Sequence, residues 1–208
     1  MKKTITIVLL ICLSIGMAFA AGNFKVGLQA GYTGNPVSYT SEILGKDVKF
    51  KHNLYGFYVA ATAECPIKDE FGVKAEFGVE FLKEKEYVNE TEYIPPADEQ
   101  PGIHFTAFLG PKYCFELADK FCLDAAIGVN IIFGREVNDA EKSYNFALGA
   151  GAEITAFYEV VSNLEVGLGG KFAWHFLNTR EFYKDMKKDD SAITNIAFQV
   201  NAAVKYAF

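Results

Sequence analysis

The stretch FGVKAEFGVEF, residues 71–81, alternates apolar and polar side chains without a break. Its odd-numbered positions carry phenylalanine, valine or alanine, and its even-numbered positions carry glycine, lysine or glutamate. Successive side chains of a β-strand point to opposite faces of the sheet. This period of two therefore predicts a strand with one apolar and one polar face.

The same alternation recurs in seven other segments of the chain, at residues 24–32, 55–64, 103–112, 121–133, 144–158, 164–176 and 195–208. Long polar connections alternate along the chain with short ones. The long connections are residues 34–52, 83–101, 136–143 and 178–191, and the short ones are residues 66–70, 116–120 and 161–163. This arrangement predicts an all-β fold, an eight-stranded antiparallel up-and-down barrel with four long loops at one end.

Alternation does not by itself decide which face of the barrel meets lipid. A soluble barrel of the lipocalin kind would bury the apolar face and expose the polar one. Here the glycines lie on the polar face, where a narrow lumen needs space, and aromatic residues such as Phe71 and Phe81 bracket the apolar stripes. No charged residue interrupts a stripe. We therefore predict a transmembrane β-barrel with lipid outside and a polar lumen.

The first twenty residues have the pattern of a signal peptide. Lys2 and Lys3 precede an apolar run at residues 5–17, and the small residues Ala18 and Ala20 then form a cleavage pattern. We predict a signal peptide at residues 1–20 and one barrel domain at residues 21–208. Of the 20 basic residues, 18 then remain against 26 acidic ones, and this charge of −8 argues against a nucleic-acid partner.

The polar face carries charges of both signs. The predicted lumen charge network contains Lys74, Glu76, Glu80, Lys112, Asp124, Glu153, Glu165, Lys171 and Lys205, with Lys25 and Glu64 on the same face. Because an eight-stranded lumen is just wide enough for side chains to fill it, we expect a salt-bridged plug. The alternative is a polar conduction path, which would make the protein a narrow pore or a small-molecule transporter.

Two cysteines flank the turn at residues 116–120 symmetrically. If the hairpin is regular, Cys114 lies opposite Cys122 and both point to the same side of the sheet. The pair is either a disulfide or two small buried thiols, and Cys65 remains as a third cysteine.

The final segment, QVNAAVKYAF at residues 199–208, resembles the C-terminal assembly signal of bacterial outer-membrane proteins, with Val204, Tyr206 and Phe208 at the alternating positions. Together with the predicted signal peptide and eight strands, the chain looks like a small outer-membrane β-barrel of the OmpA/OmpX/OmpW type. The resemblance implies escort by periplasmic chaperones and insertion by the barrel-assembly machinery. It also implies contact with outer-membrane lipid, periplasmic termini and extracellular loops.

The segment WHFLN at residues 174–178 resembles the His-x-Ser-Asn element of lipid A deacylases. Leu177, however, stands where the nucleophilic serine belongs, and His175 falls on the lumen face. Without a hydroxyl beside the base, nucleophilic catalysis has no starting point. We expect no enzymatic activity, and the sequence spacing indicates no cofactor and no metal.

Overall fold

The computed structural model describes residues 24–43, 46–68, 70–89, 91–93, 102–137, 142–180 and 194–208. The predicted signal peptide lies outside these residues and stays a prediction. In the described part of the chain, no helix is long and apolar enough to span a membrane.

The described residues form nine strands. They are β1 (Lys25–Ile43), β2 (Lys46–Lys68), β3 (Phe71–Val88), β4 (Thr91–Tyr93), β5 (Gly102–Ala118), β6 (Phe121–Val137), β7 (Lys142–Val161), β8 (Leu164–Arg180) and β9 (Thr194–Ala207). The short β4 pairs only with the end of β3, and the other eight strands pair antiparallel in a closed ring in which β1 meets both β2 and β9. The predicted eight-stranded up-and-down barrel is confirmed.

Closure of so narrow a barrel brings neighbouring backbones close together. Gly31 of β1 pairs with Tyr58 of β2 and with Asn201 of β9. A Cβ atom at Gly31 would lie 1.9 Å from the carbonyl oxygen of Val200. Only glycine fits this position, because any side chain there would push β1 away from β9.

Short connections join β5 to β6 and β7 to β8 at one end of the barrel, here called the turn end, as predicted, although the first is shorter than the predicted 116–120. At the same end β2 runs to Lys68 and β3 begins at Phe71, and residue 69 between them lies outside the described residues. Residues 119–120 connect β5 to β6, and residues 162–163 connect β7 to β8. Lys120 and Asn163 have positive φ values of 63° and 72°, as tight hairpin turns require.

The prediction of long polar loops at the opposite end, here called the loop end, is wrong where the chain is described. β1 and β2 pair without interruption as far as Ile43 and Lys46, so residues 34–43 and 46–52 are strand. β3 likewise runs on to Val88. The strands continue through these polar stretches beyond the membrane, because hydrogen bonds between neighbouring strands still pair the backbone groups there. Residues 94–101, 138–141 and 181–193 lie outside the described residues.

The outer surface of the barrel is an apolar belt. Phe57, Leu109, Ile127, Leu168 and Val200 are more than half exposed. Aromatic side chains lie outward at the two edges of this belt, at the positions Phe71, Tyr113, Phe121, Tyr158 and Tyr206 near the turn end and Phe81, Phe105 and Phe133 near the loop end. The belt matches lipid and confirms that the apolar face is outside.

Phe81 lies ten positions after Phe71 along β3. At about 3.3 Å per residue and a tilt of about 40°, this segment spans about 25 Å of membrane. Among the side chains that the structure describes, Phe24 departs from the predicted pattern: expected on the outer face, it is 4% exposed. It precedes β1 and so escapes the alternation, and its carbonyl oxygen accepts a hydrogen bond from the backbone amide of Phe208.

Candidate functional site

The candidate site is the barrel lumen, where polar side chains are buried together. Antiparallel pairing sends the even-numbered positions of β2, β3, β5 and β6 inward, and the odd-numbered positions of β1, β7, β8 and β9. Because these strands all alternate in the same way, their charged positions converge on one axis. Lys74, Glu76, Lys171 and Lys205 are each at most 5% exposed.

The charges near the turn end form a first layer, called the turn-end layer, of three carboxylates and three lysines: Glu64, Asp124, Glu165, Lys25, Lys112 and Lys205. Lys205 Nζ lies 2.6 Å from Asp124 Oδ2 and 3.1 Å from Glu165 Oε2. Lys112 Nζ lies 2.8 Å from Asp124 Oδ2 and also pairs with Glu64. Lys25 pairs with Glu165 at 2.6 Å. Opposite charges therefore cancel within the layer.

A second group, called the middle layer, lies deeper in the lumen and contains Lys74, Glu76, Glu153 and Lys171. Lys74 pairs with Glu153, and Lys171 pairs with Glu76. The Tyr58 hydroxyl donates to Glu76 Oε1 at 2.6 Å. Gln29 Nε2 and the Thr155 hydroxyl donate to Glu153 Oε1 at 3.0 Å and 3.1 Å. The middle layer thus has no net charge, and hydrogen bonds from uncharged side chains add to its two ion pairs.

Towards the loop end the lumen becomes mostly neutral. Glu80 accepts hydrogen bonds from the Thr33 hydroxyl at 2.8 Å and from Gln199 Nε2 at 2.9 Å. Its other oxygen, Oε2, lies 3.7 Å from Nδ1 of His104, which is fully buried. A cavity beside Glu80, also lined by Thr106, Asn130, Lys171 and Gln199, has room for about one water molecule. His175 Nε2 lies 2.8 Å from Asn130 Oδ1.

Three aromatic rings also fill the lumen. Lys171 Nζ lies 5.4 Å from the ring centroid of Tyr58 and 5.6 Å from that of Phe108, and Lys205 Nζ lies 3.7 Å from that of Phe157. Such contacts stabilise buried ammonium groups. We did not predict a role for Phe108 or Phe157 from the sequence. The alternation of the sequence could have indicated it. Phe108 lies an even number of positions from Lys112 on β5, and Phe157 an even number from Glu153 on β7, so each ring points to the same face as the charged residue.

The structure places all nine residues of the predicted charge network in the lumen. Eight belong to the two layers, and Glu80 lies above them with His104. The predicted assembly-signal residues are on the other side of the wall: Val204 and Tyr206 face outward on β9, and Phe208 at its end is 69% exposed. The Tyr206 and Phe208 rings are in edge contact, with centroids 4.9 Å apart.

The register of the β5–β6 hairpin differs from the prediction. Cys114 pairs with Asp124 and Cys122 pairs with Glu116, so the two cysteines are diagonal rather than opposite. The physical reason is twofold: the turn is formed by residues 119–120 instead of 116–120, and a bulge between Glu116 and Ala118 shifts the register by one residue. Both are free thiols, as is Cys65, and both have half-buried side chains on lumen-facing positions.

The closed eight-stranded barrel, with its apolar belt outside and ion pairs inside, has the fold of the small outer-membrane β-barrels. Solved structures that are similar to it include the following three. OprG from Pseudomonas aeruginosa gives a TM-score of 0.61 at 9% identity, covering 90% of this chain and 96% of that one. Neisserial surface protein A gives 0.58 at 13% identity, covering 89% and 97%. AlkL, solved in lipid bilayers, gives 0.58 at 8% identity, covering 90% of each chain.

No protein-family model matches the chain, and no curated protein matches it in sequence. The similarity to the solved structures therefore concerns the fold. At that level it confirms the OmpA/OmpX/OmpW type of barrel that the sequence resembles.

Proposed function

We propose that this chain is a non-enzymatic outer-membrane barrel with a closed lumen, which stabilises the envelope and makes contacts through its loop end. The observation that carries the proposal is the pair of charge-balanced layers across the lumen. Ten charged side chains, five lysines and five carboxylates, neutralise each other there.

Ion pairs of this kind resist being opened. Removing one partner of a buried ion pair costs about 3–5 kcal/mol, because the remaining charge is left uncompensated. A hydrated path through either layer would have to separate several such pairs. Tyr58, Phe108 and Phe157 occupy further space beside the lysines. These contacts favour a plug over a pore.

Location and orientation form part of the proposal. Both ends of the barrel domain, at β1 and β9, lie at the turn end, where Phe208 donates to the carbonyl of Phe24. A signal peptide at residues 1–20 and the assembly signal of Val204, Tyr206 and Phe208 would deliver the chain through the periplasm. We infer that the turn end faces the periplasm and the loop end faces the outside. Periplasmic chaperones and the barrel-assembly machinery are then its partners during biogenesis.

The surroundings of His175 support the absence of catalysis. Its Nε2 atom lies within hydrogen-bond distance of Asn130 Oδ1 inside the lumen, whereas Leu177, which follows a shift in the β7–β8 register, is 45% exposed. A lipid substrate would meet the outer face and not this imidazole. In a lipid-release assay with outer-membrane lipid, we expect the protein and its His175→Ala variant to release the same background amount. Release that depends on His175 would contradict the proposal.

Conductance in planar bilayers tests the closed lumen. We expect no reproducible channel steps from the purified protein. A variant in which all ten charged residues of the two layers are serine should conduct, and a control with Lys68→Ser and Glu70→Ser, both exposed at the turn end, should not. Insertion of each protein is checked by gel mobility with and without heating. Regular channel steps from the unaltered protein would overturn the plug and favour a narrow pore.

A further inference from the structure

A cluster of potential metal ligands lies at the turn-end mouth of the lumen. The two thiol sulfurs of Cys114 and Cys122 and a carboxylate oxygen of Asp124 all lie within 4.8 Å of one another. β5 supplies Cys114, and β6 supplies the other two residues. The bulge at residues 116–118 brings them together, since it moves Asp124 opposite Cys114 and leaves Cys122 diagonal to it. Sequence spacing alone did not indicate this site.

One oxygen of the carboxylate is available to a ligand. Asp124 Oδ2 accepts from both Lys112 and Lys205, whereas Oδ1 is buried and has no hydrogen-bond partner. The whole residue is 6% exposed. A buried charged oxygen without a partner costs free energy. A cation between Oδ1 and the two sulfurs would remove that cost.

The diagonal arrangement suits a shared cation better than a disulfide. Diagonal residues on paired antiparallel strands have Cα atoms about 7–8 Å apart, beyond the usual range of about 4.4–6.8 Å for a disulfide. Two sulfurs bound to one tetrahedral Zn²⁺ at about 2.3 Å are about 3.8 Å apart. The three ligand atoms, which lie within 4.8 Å of one another, therefore need to close by roughly 1 Å, which small rotations of the two half-buried cysteine side chains achieve.

Charge balance also favours a divalent cation. The turn-end layer has three carboxylates and three lysines, so it is neutral while both thiols are protonated. When one Zn²⁺ binds, each thiol releases its proton to solvent, and two Zn–S bonds and one Zn–O bond form. Two positive charges arrive and two leave as protons, so the net charge of the mouth is unchanged. Lys112 and Lys205 remain on Oδ2 and orient the carboxylate.

We propose that Cys114, Cys122 and Asp124 form a binding site for one thiophilic divalent cation of the Zn²⁺ class, with a fourth position open to water. Two sulfurs and one oxygen are ligands that Zn²⁺ prefers, and three protein ligands plus water is a common arrangement. Glu165, whose Oε2 lies 3.8 Å from Cys122 Sγ, keeps Lys25 and Lys205 as partners when that thiol loses its proton.

The test uses Co²⁺ as a spectroscopic probe for Zn²⁺. The full barrel domain, extracted from membranes without reductant and freed of metal, is titrated with Co²⁺ in detergent. We expect a sulfur-to-cobalt charge-transfer band that saturates at one Co²⁺ per barrel, with release of two protons, and that disappears when Zn²⁺ is added. Cys114→Ser and Cys122→Ser should each lose the band, and Asp124→Asn should bind at least tenfold more weakly.

Cys65→Ser is the matched control, because Cys65 is a free, half-buried thiol that lies outside the cluster. It should leave the band and its stoichiometry unchanged. Heat-dependent gel mobility shows whether each variant is a folded barrel, and the single serine variants keep the test independent of Asp124. Two results would overturn the proposal: folded protein that gives no band, or a thiol count of one before reduction and three after it, which would mean a disulfide between Cys114 and Cys122.

Discussion

Lys171 is held in the lumen by more than one interaction. Its ammonium group pairs with Glu76 and lies over the rings of Tyr58 and Phe108. The side chain is 3% exposed, so water does not take the place of these partners. A residue in this position stabilises the barrel through charge, and its replacement measures how strongly the middle layer is held together.

We expect Lys171→Met to lower the free energy of unfolding by about 3–5 kcal/mol, because Glu76 loses its closest cation in a buried site. Urea unfolding of protein in lipid vesicles measures the change. Adding Glu76→Gln to the variant should recover part of the loss, since no buried charge is then left without a partner. Lys68→Met, at an exposed position near the turn end, is the control and should change stability by less than about 0.5 kcal/mol. Equal stability of the two single variants would contradict the prediction.

Packing around His104 depends on a neighbouring glycine. A Cβ atom at Gly134 would lie 2.3 Å from Cδ2 and 2.5 Å from Nε2 of the imidazole. We expect Gly134→Ala to destabilise the barrel by about 1–3 kcal/mol, the usual cost of overpacking. Gly102→Ala is the matched control, because a Cβ atom there has nothing within 4 Å. A Gly134→Ala barrel that unfolds at the same urea concentration as Gly102→Ala would refute this packing argument.

Each strand of the barrel wall contacts lipid through every second side chain, the ones that point out of the barrel. Val129 lies in the middle part of β6 and Ile67 lies at the end of β2 near the turns, and both are at least half exposed. The cost of a charge on this face should therefore depend on how far along the strand it is placed.

We expect Val129→Arg to cost about 2–4 kcal/mol in a bilayer, because the guanidinium would lie near the membrane midplane. Ile67→Arg should cost at most about 1 kcal/mol, since that position is close to the interface. Unfolding titrations in vesicles measure both values. If the two substitutions cost the same, the apolar belt is not the membrane-spanning surface.

At the scale of the whole molecule, the pairing of β1 with β9 makes the sheet a closed ring. Lys25 pairs with Ala207 at one limit of this ladder and Ser38 pairs with Thr194 at the other. A closed membrane barrel has no free strand edge, so all its wall hydrogen bonds must break together. The folded form should therefore unfold slowly in detergent.

We therefore expect unheated protein to migrate on a denaturing gel at a position different from that of boiled protein. A variant that ends at residue 193, and so lacks β9, should show one position in both lanes. The measurement is gel mobility before and after boiling. A full-length chain with unchanged mobility, recovered in the soluble periplasmic fraction, would contradict the transmembrane assignment.

The sequence by itself determined the eight strands of the barrel wall and their two faces, but not the short β4. In residues 71–81 every second side chain is apolar, and side-chain direction in a strand depends only on position along it. The sequence did not determine where strands end beyond the membrane, as residues 34–43 illustrate, because the apolar–polar alternation stops near Tyr32 whereas the hydrogen-bonded pairing of β1 with β2 continues to Ile43.

Only the tertiary structure decided which lumen residues meet. Lys171 pairs with Glu76, which is 95 positions away along the chain, and Lys74 pairs with Glu153, 79 positions away. Those pairings depend on the stagger of eight strands around the ring, which no local pattern records. The cysteines make the same point over a short distance. The turn lies at residues 119–120 instead of 116–120, and a bulge between Glu116 and Ala118 adds a shift of one residue, so that Asp124 and not Cys122 lies opposite Cys114.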